Sequence, residues 1–100
     1  MSGTKHTAGP WEVLEMAIER AEYPFEFKII GPDGGIATVE NYRFNGEEYA
    51  ANRANAHLIA AAPDLLEACE AFPGFTNDAT VGDAWLAKLR AAIAKAKGEA

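Results

Sequence analysis

Strand-like segments come first in this sequence and helix-like segments follow. That order predicts an α+β fold, a small antiparallel sheet of two or three strands followed by two or three helices packed on one face. Three observations carry the prediction. Aromatic and aliphatic side chains alternate from Tyr23 to Ile30, a Gly-Pro-Asp-Gly-Gly run follows at 31–35, and from Glu47 to Ala62 the chain is alanine-rich and free of Gly and Pro. The 100 residues, 49% of them apolar, suffice for one core and not for two, so residues 1–100 read as a single domain. Within it, 1–10 form an irregular lead-in, 11–41 hold the strands and 47–97 the helices.

The elements follow in order. Tyr23, Phe25, Phe27 and Ile29 alternate with Pro24, Glu26 and Lys28, the period of a half-buried strand. At Gly31–Gly35, Pro presets a turn dihedral, Asp bonds its own backbone and Gly admits positive φ. Ile36–Glu40 returns as a second strand and completes a hairpin. Trp11–Glu22 has two readings. Trp11 and Val13 flanking Glu12 suit a strand over Trp11–Met16, whereas Trp11, Leu14, Ile18 and Ala21 lie at helical spacing. The strand is preferred, because a lone hairpin gains stability from a third strand.

On the first helix, Ala51, Ala54, Asn55, Leu58 and Ala62 share a face whose small side chains suit close packing on a sheet or another helix. Pro63 then implies either two helices meeting there or one kinked helix. Leu65, Cys69 and Phe72 continue the spacing, and Pro73-Gly74 ends it. Phe75–Val81 reads as a loop. Asp83 is placed to cap a last helix, Ala84–Lys97, whose apolar stripe is Trp85, Leu86, Leu89, Ile93 and Ala96.

Charge narrows the function classes. Nine Lys and Arg against fifteen Asp and Glu give a net charge of −6. A general nucleic-acid binder neutralises phosphates with a basic footprint, and an anionic membrane surface asks for the same. The balance argues against both roles and fits a basic partner. The charge is also uneven, −3 over residues 1–46, −5 over 47–81 and +2 over 82–100. An acidic centre of this kind steers a basic partner, and asymmetry also suits head-to-tail self-association. A single cysteine excludes an internal disulfide and suits a reducing cytoplasm. No stretch has the length of a signal peptide's apolar region or a membrane span.

The candidate chemistry is sparse. His6 and His57 are the only histidines, and no ligand stands four residues from His57 on its helix face, so no metal site is expected and His57 reads as a surface or capping residue. Cys69, between Leu65 and Phe72, reads as a small core residue rather than a nucleophile. The glycines at 31, 34 and 35 fit neither dinucleotide nor phosphate-loop spacing and read as a turn. Glu12, Glu15, Glu19 and Glu22 read as a solvated face. Trp11 and Trp85 read as core. Tyr42, Phe44 and Tyr49 surround the sheet-to-helix connection with Arg43, a composition that either plugs the core or anchors an interface.

Two segments resemble a family of short phage and prophage proteins. His6-Thr7-Ala8-Gly9-Pro10-Trp11 is similar to its opening HTPGPW, with Ala8 in place of Pro. Asn52–Ala71 is similar to its NARLIAAAPDLLEAL segment, with His57 in place of Arg. Together they span about a quarter of the chain. The resemblance implies a phage accessory role in the host cytoplasm and brings no catalytic residues with it. Counter-defence proteins such as anti-CRISPRs are often small, acidic and single-domain. The expectation is therefore a non-enzymatic accessory protein without cofactor that binds a basic host protein, in its most concrete form by occluding a nucleic-acid-binding surface. Glu47, Glu48, Glu67 and Glu70 would steer the partner, and Tyr42 and Phe44 would supply contact area. The alternative is a small self-associating structural protein, a homodimer through the alanine-rich helix face.

Overall fold

Period-2 alternation in the central strand decides how the sheet and the first helix meet. The computed structural model describes residues 5–16, 26–40, 46–75 and 77–99. Three strands, β1 (Glu12–Met16), β2 (Glu26–Gly31) and β3 (Gly34–Glu40), form one antiparallel sheet in the order β1-β2-β3. Phe27 and Ile29 point to the covered face and are completely buried, as their alternation requires. Val13 lies opposite Ile29, and Val39 opposite Phe27, on the same face. The strand reading of Trp11–Met16 therefore holds over Glu12–Met16. Tyr23, Pro24 and Phe25 lie outside the described residues, as do Ile18, Ala21, Glu19, Glu22, Tyr42, Arg43 and Phe44.

The hairpin is tighter than the sequence suggests. Only Pro32 and Asp33 form its turn, Gly31 pairs with Gly34, and β3 begins two residues before Ile36. The early start is absorbed by a bulge. Ile30 pairs with Gly35 and Ile29 with Ala37, which leaves Ile36 as the extra residue. Its side chain reaches back toward Gly31 and packs beside Trp11.

Three helices follow, α1 (Gly46–Ala60), α2 (Ala62–Glu70) and α3 (Ala79–Ala96). Helix α1 covers the sheet with Ala56 and Ala60 against Phe27 and Ile29, and Tyr49 packs on Phe27 with ring centroids 5.6 Å apart. This corrects the expected face. Ala51, Ala54, Asn55, Leu58 and Ala62 look outward, and Leu58 is 55% exposed. Alanine is too frequent here to mark a face. Tyr49 and Ile59 mark it, and they lie in register with Ala56.

Ala61 is the joint between α1 and α2, with Pro63 in the first turn of α2 where its missing N–H costs nothing. Cys69 is exposed rather than core, because α2 turns Ala68 inward instead. The Trp85 indole N–H donates to the Ala68 carbonyl oxygen at 2.8 Å and fixes that orientation. Helix α3 starts five residues earlier than expected. Asp78, not Asp83, caps it, and Asp78 Oδ1 accepts from the N–H of Thr80 at 2.9 Å and of Val81 at 3.4 Å. Gly82 suggests a break, but an interior glycine costs only ~1 kcal/mol, which a good cap offsets. The buried line of α3 runs through Ala92, with Trp85 and Leu89 half-buried, while Leu86 and Ile93 stay 37% and 39% exposed.

Candidate functional site: a cleft between the lead-in and helix α2

The lead-in is not free of the body. Trp11 packs against the sheet core, its indole N–H donates to the Thr7 carbonyl oxygen at 3.1 Å, and His6 meets the indole edge-on at 6.2 Å. This folded arm lies along α2. A Cβ on Gly9 would stand 3.3 Å from Pro63, tight enough that a side chain here would push arm and helix slightly apart, and glycine suits the close approach. A cleft of about 480 Å³ opens between them, walled by His6 and Gly9-Pro10 on one side and by Pro63, Asp64, Leu66, Glu67 and Glu70 on the other. A smaller apolar slot of about 280 Å³ continues from it beneath Trp11, Ala62, Pro63 and Leu66. The two segments that carry the phage-family resemblance thus form opposite walls of one cleft.

Helical spacing puts the carboxylates there. Asp64, Glu67 and Glu70 stand three residues apart on α2, and the first two also face α3. Lys88 Nζ lies 2.7 Å from Glu67 Oε1, and Lys95 Nζ lies 2.8 Å from Asp64 Oδ2. The acidic centre and the basic last helix are separate along the chain but adjacent in space. Part of the charge expected to steer a partner is therefore met internally. Glu70 has no such cation among the described residues and remains exposed.

The other expected partner-binding residues are elsewhere. Glu47 is exposed and Glu48 half-buried in the first turn of α1, away from the walls of the cleft, where they complement the helix dipole. Tyr42 and Phe44 lie outside the described residues. Tyr49 serves the core with its ring, and its hydroxyl donates to Glu15 Oε1 at 3.2 Å. Burial, and then the neighbouring Glu15 carboxylate, raise the Tyr49 phenol above its ordinary value, with Arg53 opposing.

A second polar row follows on α1. Arg53 Nε donates to Glu15 Oε1 at 3.3 Å, and His57 comes one turn later. Burial, then Arg53, lower the His57 imidazole below its ordinary value, with Glu15 acting the other way. Gly98 lies against this ring, where a Cβ would stand 3.1 Å from Cδ2. His57 is therefore half-buried under the chain's C-terminal end, beyond the surface role read from the sequence.

Sequence reasoning named Glu67 and Glu70 but did not place His6, Trp11, Pro63 and Leu66 beside them. The signal was the pair of resembling segments, and what joined them was tertiary contact alone. No described helix is long and apolar enough to cross a membrane. No curated protein and no solved structure matches the chain. The family profile of Salmonella phage P22 protein Y8K6 matches residues 1–100. That match spans the strands, the three helices and both walls of the cleft, and the chain belongs to this phage protein family.

Proposed function

We propose that this phage protein performs no chemistry and acts by binding a basic host protein, as a counter-defence inhibitor that occludes a nucleic-acid-binding surface. The cleft between the lead-in arm and α2 carries this reading. Its slot is apolar, bounded by Trp11, Pro63 and Leu66, and the adjoining cleft is lined by Glu70 and by Glu67, the latter also paired with Lys88. Lysine and arginine combine an aliphatic stem with a cationic head, and such side chains lay the stem on apolar surface and the head among carboxylates. The indole face of Trp11 adds an attraction for the same cation. Membership of a phage family and a net charge of −6 support the choice of a basic host protein.

The test combines plating and capture. Expression in a defence-positive host is expected to raise the plating of a sensitive phage, and Glu70→Lys is expected to remove most of that gain without changing the fold. Unchanged plating, together with no specific protein retained from host lysate, ends this reading.

A further inference from the structure

We infer that the cleft between the lead-in arm and α2 selects arginine over lysine and receives one arginine side chain of the basic partner, with His6 as the residue that makes the choice. This specificity rests on the reading of the cleft as the contact for a basic host protein. The polar side chains that line the cleft are His6 on the arm and Asp64, Glu67 and Glu70 on α2. Lys95 meets Asp64 through Oδ2, and Lys88 meets Glu67 through Oε1, so each of these carboxylates keeps a second oxygen. Glu70 keeps both. The His6 ring meets the Thr7 carbonyl oxygen through Nδ1 at 2.8 Å. A carbonyl oxygen only accepts, so Nδ1 carries the proton, and in the neutral ring Nε2 is then an acceptor. Among the described residues, the side chains around the cleft therefore offer acceptors on both walls, and their one donor is already engaged by Thr7. Among charged side chains, only lysine and arginine bring donors without acceptors of their own.

The placement of the acceptors separates these two. Glu67 and Glu70 are three residues apart on α2, roughly 5–6 Å between Cβ atoms, and His6 stands on the opposite wall. A guanidinium spreads five N–H groups around a flat ion, so one edge engages a carboxylate while another faces the imidazole. An ammonium gathers three donors at one point, which the carboxylates of α2 satisfy without His6. Solvation acts in the same direction. Pro63 and Leu66 border both the cleft and the slot, and Trp11 and Ala62 complete the slot. None of these side chains replaces the water that a strongly hydrated ammonium gives up. A guanidinium is weakly hydrated, and its faces stack on aromatic surface. At about 480 Å³ the cleft falls within the roughly 300–1,000 Å³ of small-ligand sites, the scale of one inserted side chain rather than a flat contact.

Nuclear magnetic resonance titration at constant ionic strength tests the choice. The probes are blocked pentapeptides of glycine with a central arginine, lysine or citrulline, the last keeping the shape of arginine without its charge. The Trp11 indole N–H, assigned with Trp11→Phe, reports on the slot, and the Trp85 indole N–H, bonded to Ala68, serves as the fixed reference. The arginine peptide is expected to shift the Trp11 signal with an affinity higher than that of the lysine peptide by roughly fivefold or more, and citrulline to leave it unmoved. Glu70→Gln is expected to weaken both cationic peptides. His6→Phe, which keeps a ring and removes the acceptor, is expected to bring the arginine-to-lysine ratio close to one, with the fold followed by circular dichroism. Equal affinities in the unaltered protein overturn the inference, as does a Trp11 signal that no peptide moves or an arginine preference that survives His6→Phe. Plating separates this outcome from the fate of the host-protein reading. A plating gain that Glu70→Lys removes, without arginine preference, ends the specificity alone. Arginine preference with unchanged plating and no protein retained from lysate keeps the site and ends the host-protein reading.

Discussion

His57 shows how one side chain ties three elements together. It stands on α1, shares the Glu15–Arg53 neighbourhood that joins α1 to β1, and lies under Gly98 beyond the end of α3. Its lowered pKa means that the folded chain holds the neutral ring more firmly than the unfolded chain does. The unfolded ring takes its proton near pH 6.5, so below that value the unfolded state binds more protons and stability declines. The loss continues as pH falls through the folded-state pKa and then levels off. Thermal melts at about pH 7.5 and about pH 5.5 should therefore show a loss on acidification that His57→Gln reduces. An equal loss in both proteins removes His57 from this role. Gly98→Ala tests the contact from the other side. Its φ of +75° and the approaching imidazole both oppose a Cβ, so destabilisation of about 1–2 kcal/mol is expected by chemical denaturation.

At the level of elements, the strands were legible in the sequence and the helices were legible in number but not in rotation. Phe27 and Ile29 declared the inner face of β2 because a period of two leaves one choice once an aromatic fixes it. Alanine is apolar enough to sit inside and small enough to sit outside, so the orientations of α1 and α2 were set by contacts with the sheet and with Trp85. That is why the outward face of α1 and the exposure of Cys69 both went against expectation. The start of α3 was missed for a different reason. Two aspartates five residues apart can each cap a helix, and only the pattern of accepted N–H groups separates them. Asp78→Ala should lower stability by about 1 kcal/mol, and Asp83→Ala by little. Denaturant titration of both variants decides this, and the reverse ranking would move the cap. The cleft was half legible. Each wall was visible as a segment, but their meeting depends on Trp11 folding the lead-in back over α2.

As a whole, the molecule is long and thin, 56 × 30 × 17 Å, with a radius of gyration of 16.6 Å. A typical domain of its length has about 13 Å. Its core is correspondingly slight, and Phe27 and Ile29 are the only large side chains fully buried among the described residues. Phe27→Ala should cost about 3–5 kcal/mol, most of the stability such a domain has. Loss of the cooperative thermal transition is the expected result, and an unchanged melt would place the stabilising contacts elsewhere. Among the described residues, the three-strand order also leaves β1 and β3 at the borders, each with a strand neighbour on one side only. Sheets with open borders invite other chains to add to them, the route into fibrils. Here the borders are short, and they bear Glu12 and Glu15 on β1 and Glu40 on β3, with the bulge twisting β3 near its start. Carboxylates at these borders therefore oppose the joining of one sheet to another, by placing like charges edge to edge.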